Sequence, residues 1–149
     1  MDINLPVNIE RQPDYTTCGP TSLHAIYRYY GDPIDLETVI KETAKLLGPG
    51  GGTLMVHLAV HALSRGYEVD TWVCNTRHMD PTWFQQPTDV LAKLKARAEA
   101  KGLFDDPRYG PAMQAVEQYV KLGGRLVWGD LTPELISRVL TKGTPLLTG

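Results

Sequence analysis

Glycine and proline set the main constraint on the fold, because 14 glycines and 11 prolines divide this 149-residue chain into short segments. Proline is favoured in the first turn of a helix, and glycine is favoured just after the last turn. Polar capping residues such as Asp35 and Thr132 mark further helix starts. These signals together predict six helices, near residues 19–30, 36–47, 53–65, 89–101, 112–122 and 133–142.

Two short segments have the character of β-strands. Residues 67–74, YEVDTWVC, alternate in polarity, and residues 125–129, RLVWG, are short and apolar. The final residues, TPLLTG, begin a further extended segment. The predicted class is therefore α+β, with a helical N-terminal half and strands that come mostly late in the chain.

The overall composition narrows the possible functions. A chain of 149 residues predicts a single domain. A net charge of −2 and an isoelectric point near 6.1 give no basic surface for a nucleic acid. No run of about 18 apolar residues is present, and the N-terminus lacks the basic and apolar regions of a secretory signal. We therefore expect a soluble, cytoplasmic protein with neither a membrane nor a nucleic-acid partner.

The two cysteines call for different explanations. A pair of cysteines is too few for a disulfide framework, so both are expected to be free thiols. Cys74 ends an apolar strand-like segment, which predicts a small buried side chain. Cys18 lies between polar turn residues and the Gly-Pro that opens the first helix, so packing does not account for it.

The position of Cys18 is suited to a nucleophile. Unpaired backbone N–H groups and the positive end of the helix dipole stabilise a thiolate at the start of a helix. When sulfur attacks a carbonyl, the developing oxyanion needs hydrogen-bond donors that are already in place. The backbone N–H of Cys18 is one candidate donor, and the side-chain amide of Gln12, six residues upstream, is another.

The segment QPDYTTCGPTSL at residues 12–23 resembles the papain-like cysteine peptidases. It is most similar to the branch that cleaves double-glycine leader peptides during bacteriocin processing. In that family the glutamine forms the oxyanion hole and the cysteine is the nucleophile, which implies these roles for Gln12 and Cys18. The resemblance extends over about residues 5–74 and 125–149. The motif at 12–23 is the specific part, and the remaining segments only support the assignment to the family.

This resemblance carries expectations about the rest of the fold. It implies a papain-like domain with a partial antiparallel sheet, built mostly from the C-terminal half. The family places its catalytic histidine, and an Asp or Asn that orients it, after a strand like the one that TPLLTG begins. We therefore expect both downstream of residue 149, so that residues 1–149 form an incomplete papain-like domain.

The four histidines within the chain do not readily supply the missing base. His24 lies about 9 Å along the helix from Cys18, at 1.5 Å per residue, and faces away. His57 and His61 are four residues apart, a spacing that suits a metal, but no third ligand is evident and a solvated polar face is the favoured interpretation. His78 is predicted to lie in a loop. No metal and no organic cofactor is expected.

Three explanations for the missing histidine remain open. The chain is the front part of a longer protein, or a remnant that has lost its chemistry, or a second chain supplies the residue. The first is favoured, because a sheet that stops at Gly149 leaves strand edges unpaired. A second chain or a C-terminal segment is therefore expected to complete the sheet.

Residues 75–124 depart from the family pattern, because two helices and a proline-rich loop follow the first strand. We interpret this segment as a helical insertion that borders the substrate cleft, since loops and insertions often determine specificity. Trp83, Phe84 and Tyr109 are the candidate groove residues. The alternative is that they pack the insertion onto the body of the domain.

The sequence thus predicts a hydrolase that cleaves peptide or other amide bonds through a thioester on Cys18. Its expected substrate is a peptide or protein. The alternative is a non-catalytic peptide-binding module that lacks the histidine. A third possibility is a structural helical domain in which Cys-Gly-Pro is incidental and Cys18 is unreactive.

Overall fold

The computed structural model describes residues 2–45, 53–77, 79–85, 89–107 and 109–148. Within these ranges there are six α-helices and two β-strands. In chain order they are α1 (Cys18–Tyr29), α2 (Leu36–Ala44), α3 (Met55–Ser64), β1 (Asp70–Val73), α4 (Val90–Ala100), α5 (Tyr109–Lys121), β2 (Arg125–Trp128) and α6 (Pro133–Leu140). Two short 3₁₀ helices, Pro81–Phe84 and Leu103–Asp105, flank α4. The mixed helical and strand class is as predicted.

Local sequence signals account for several helix boundaries. Asp35 accepts a hydrogen bond from the backbone N–H of Thr38 at 2.8 Å, and Thr132 accepts one from the N–H of Leu135 at 3.2 Å. One predicted cap is wrong, because α3 begins after Leu54 rather than Thr53, with no side-chain cap. The predicted end of α2 at Gly48 and the turn at 48–52 lie outside the described residues.

The sheet differs from the expected one. β1 and β2 pair in parallel, with Asp70 opposite Arg125 and Val73 opposite Trp128. The expectation of an antiparallel sheet is therefore wrong. The physical reason lies in residues 75–124, because α4 and α5 form a long crossover that returns the chain in its original direction. A parallel pair requires such a connection, and an antiparallel pair does not.

Two apolar clusters form the core, and α3 contributes to both. The first cluster joins α1, α2 and α3 through buried Leu23, Tyr27, Val39, Leu58 and Ala62. The second, around Met79, Leu94 and Val116, lies under the sheet and the crossover helices. Leu58 belongs to the first cluster, while Val56 packs against the second. The position of α3 thus couples the N-terminal helices to the sheet.

Tyr119 on α5 fastens the crossover to the sheet. Its hydroxyl lies 2.9 Å from the carbonyl oxygen of Val69 and 2.8 Å from that of Arg125, at the starts of both strands. Gly124 is needed at this point, because a Cβ there would lie 2.4 Å from the Tyr119 ring. One buried side chain therefore fixes the register at which the two strands meet.

None of the helices in the described part of the chain is long and apolar enough to cross a membrane.

We predict that Tyr119→Phe lowers the free energy of unfolding by about 1–2 kcal/mol, because it removes the buried hydroxyl that lies between the carbonyl oxygens of Val69 and Arg125. Urea denaturation followed by circular dichroism measures this change. Tyr15→Phe is the matched control, since Tyr15 is 99% exposed and its variant should leave stability unchanged. Equal stability of both variants and the native chain would show that Tyr119 does not fasten the sheet.

Candidate functional site

The turn that precedes α1 is held by short polar contacts. Asp14 Oδ1 accepts hydrogen bonds from the backbone N–H and the hydroxyl of Thr16, both at 2.8 Å. These bonds from Thr16 hold the pKa of the Asp14 carboxyl below its ordinary value. The Thr17 hydroxyl donates to the Asp14 carbonyl oxygen at 3.2 Å. The backbone leading into Cys18 is therefore fixed by side chains of its own turn.

Cys18 is the exposed member of an otherwise packed helix start. Thr17, Pro20 and Thr21 are buried, whereas Cys18 is exposed. Gly19 permits a close approach to α3, because a Cβ there would lie 3.1 Å from Leu58 Cδ1. The neighbours of Cys18 thus perform the packing, and the thiol itself faces outward at the first residue of α1.

Gln12 lies beside the same turn. Its side chain is half-buried, and its amide nitrogen donates to the Asp14 carbonyl oxygen at 2.8 Å. The structure thus places Gln12 against the turn that leads to Cys18, with one amide hydrogen bonded to the backbone and one left over. In this state the amide is directed at the turn.

The three described histidines are all buried. His24 Nε2 lies 3.1 Å from the Ile34 carbonyl oxygen, so this ring joins α1 to the loop before α2. The favoured interpretation of His57 and His61 as a solvated polar face is wrong, since both lie in the interior of the helical layer. His78 lies outside the described residues.

His61 belongs to a hydrogen-bonded chain that sequence reasoning missed. The Tyr27 hydroxyl lies 2.7 Å from His61 Nδ1, and His61 Nε2 lies 2.8 Å from Glu42 Oε2. Burial raises the pKa of Tyr27 above its ordinary value, partly opposed by the nearby Arg65. With Tyr27 protonated, all three groups are satisfied when Tyr27 donates to Nδ1 of His61 and the Nε2–H tautomer of His61 donates to Glu42. The chain links α1, α3 and α2.

A second set of polar contacts, centred on Asp32, lies next to Tyr27. The guanidinium of Arg65 binds Asp32 through Nε and Nη2, at 3.1 and 2.6 Å, and lies 5.5 Å from the centre of the Tyr27 ring. The Tyr67 hydroxyl also donates to Asp32 at 3.1 Å. These bonds, led by that from Arg65, lower the pKa of the Asp32 carboxyl.

The sequence contains a signal for these polar contacts, since polar residues at 57, 61 and 65 interrupt an apolar segment at the four-residue spacing of one helix face.

Cys74 is exposed just past the end of β1, so its prediction as a buried residue is wrong. No group of three or more His, Cys, Asp or Glu side chains in the described ranges is arranged to hold a metal ion.

The candidate groove residues lie along the crossover. Trp83 lies beneath the guanidinium of Arg97, whose carbon is 5.1 Å from the ring centre. The Phe84 ring packs against Trp128 of β2 at 5.7 Å between centres. Tyr109 begins α5 and is half-buried. Trp83 and Phe84 therefore pack at the margin of the second core cluster, and Phe84 also lines an open depression beside β2.

No protein-family model matches this chain, and no curated protein or solved structure was found to match it either.

We predict that His57 makes stability sensitive to acid. Burial lowers its pKa from the ordinary 6.5, so the unfolded chain takes up a proton that the folded chain disfavours. The contribution of His57 is therefore favourable above about pH 6.5 and is lost as the pH falls below it. His57→Gln and His57→Leu should both show a smaller fall in unfolding free energy than the native chain between about pH 7 and pH 5.

Urea denaturation at several pH values measures this difference. The two variants need not have the same absolute stability, because glutamine and leucine pack differently. Their dependence on pH should nevertheless agree, since neither side chain titrates. If both retain the native pH dependence, His57 is not the source of acid sensitivity.

Proposed function

We propose that this chain carries the nucleophile of a cysteine-dependent hydrolase that acts on peptide or other amide bonds. The observation that carries the proposal is the exposed thiol of Cys18 at the first residue of α1. Its neighbours Thr17, Gly19 and Pro20 account for the packing of this helix start, so packing does not explain a cysteine at position 18. An outward thiol at a helix N-terminus suits nucleophilic attack.

In the proposed reaction, Cys18 Sγ attacks the carbonyl carbon of the scissile amide. The backbone N–H of Cys18 and the amide of Gln12 stabilise the negative charge on the carbonyl oxygen. The intermediate collapses to a thioester as the amine leaves with a proton, and water then hydrolyses the thioester to release the acid. Gln12 contributes its second N–H, or exchanges its bond to Asp14 for one to the substrate.

The base that takes the thiol proton and passes it to the leaving amine would be a histidine outside the described residues. The three described histidines are buried, and two of them have hydrogen-bonded partners elsewhere. The assignment to papain-like leader peptidases rests on the resemblance of residues 12–23. The parallel pairing of β1 and β2 lends it no support.

A non-catalytic peptide-binding module is the second candidate. It is favoured by the hydrogen bond from Gln12 to the Asp14 carbonyl oxygen, because this bond uses one of the two amide N–H groups that were expected to stabilise the oxyanion. It is also favoured by the burial of the described histidines, His24, His57 and His61, because a buried imidazole does not reach the exposed Cys18 as a base. In this case the region around Cys18 would hold a peptide without cleaving it.

Acylation by p-nitrophenyl acetate separates the two candidates, because this ester has a good leaving group and needs no acid for its departure. We predict that the acetyl group is found on Cys18 in preference to Cys74, as measured by peptide mass mapping. Gln12→Ala should slow acylation of Cys18 by about 100-fold, the usual effect of removing one oxyanion donor.

Gln114→Ala is the matched control, since Gln114 is an exposed glutamine on α5 and should have no effect. Equal acylation of Cys18 and Cys74, unaffected by Gln12→Ala, would contradict the hydrolase proposal and favour the binding module.

A further inference from the structure

The outer edge of β2 is unpaired within the described ranges. The backbone N–H groups of Arg125 and Gly129 donate to β1, at Val69 and Val73. Because successive residues of a strand point to opposite sides, the backbone N–H and C=O groups of Leu126 and Trp128 face away from β1. The described sheet has only two strands, so these groups have no ladder partner. An unpaired edge is a template for one more strand.

A depression lies on each face of the sheet at β2. On one face, Pro81 and Phe84 approach Leu126 and Trp128 and border an open depression of about 390 Å³. On the other face, a volume of about 400 Å³ is lined by apolar Trp72, Val127 and Leu135 and by charged Asp130, Glu134 and Arg138. A strand added to β2 would direct alternate side chains towards the two sheet faces on which these depressions lie.

We propose that the outer edge of β2 binds an extended peptide from another protein as an additional parallel or antiparallel strand. This binding mode draws affinity from main-chain hydrogen bonds and specificity from pockets for alternate side chains. The site does not involve Cys18, so the inference goes beyond the proposed hydrolase and is independent of it.

The chemistry of the two depressions defines the peptide. The face with Phe84 and Trp128 takes large apolar side chains, because none of the described residues that line it is charged. The other face has two acidic residues, Asp130 and Glu134, and one base, Arg138. It therefore favours a small apolar side chain flanked by basic ones. The bound segment has apolar residues on one face and basic residues on the other.

A second copy of this chain fits the edge less well. The one cation on β2 itself, Arg125, already pairs with Asp70, its Nε donating at 2.9 Å. Arg138 of a second copy would arrive together with that copy's own Asp130 and Glu134, so self-pairing would bring two depressions of the same net negative charge together. The charge pattern thus favours a basic peptide over self-pairing.

The probe is the dye-labelled peptide acetyl-Lys-Phe-Val-Leu-Lys-amide, titrated with the full chain and followed by fluorescence anisotropy. Two further peptides carry backbone N-methyl groups, either on Phe and Leu or on Val and the second Lys. An added strand directs only every second N–H at β2, so one methylated peptide should bind like the parent. The other should bind at least about tenfold more weakly, because it loses two hydrogen bonds.

Substitutions in the protein provide a second measurement. Phe84→Ala should weaken binding of the parent peptide by about tenfold, because it removes an aromatic wall of one depression. Phe104→Ala is the matched control, since Phe104 is 41% exposed in the other 3₁₀ helix and should leave binding unchanged. The comparison among the methylated peptides uses the native chain and so does not depend on how either variant folds.

Sedimentation at the protein concentrations of the titration tests whether a second copy of this chain occupies the edge of β2 instead. A monomer that binds the parent peptide and only one methylated form supports the proposal. Failure to bind the parent peptide, equal binding of all three peptides, or a dimer that must dissociate before peptide binds would each overturn it.

Discussion

The hydrogen bond between the Tyr27 hydroxyl and His61 Nδ1, 2.7 Å long and buried, holds the N-terminal helices together. Tyr27 is fully buried on α1, and His61 extends the connection from α3 to Glu42 on α2. A buried polar group without its partner costs about 1–3 kcal/mol, so neither side chain can be lost without penalty. The contact therefore ties α1, which begins at Cys18, to α3 and α2.

The remainder of the fold follows from the position of α3. Its start lies against Gly19, its middle fills the first core cluster, and Val56 reaches the second cluster beneath the sheet. The crossover through α4 and α5 then brings β2 alongside β1 in parallel, with Tyr119 between the two strand starts. The exposed thiol and the edge of β2 that is unpaired among the described residues therefore belong to separate parts of one framework.

Local chemistry made part of this structure predictable. The caps at Asp35 and Thr132 depend on contacts three residues apart, so the sequence alone is sufficient to identify them. The direction of β2 was not predictable in this way, because an apolar segment indicates a strand but not its partner. The burial of His57 and His61 was missed for a similar reason: a histidine becomes a core residue only when the fold brings it a partner or seals it from water. The placement of Gln12 and Cys18 beside one turn follows from their short separation, whereas the bond from Gln12 to Asp14 does not.

We propose that the start of α1 makes Cys18 a nucleophile. The rates at which iodoacetamide alkylates Cys18 and Cys74, measured near neutral pH by peptide mass mapping, test it most directly. Both thiols are exposed, so access alone does not favour either. We predict that Cys18 reacts about fivefold faster than Cys74, because a helix N-terminus favours a nearby negative charge by about 1 kcal/mol, which corresponds to that factor. Equal rates, or faster reaction of Cys74, would contradict this proposal.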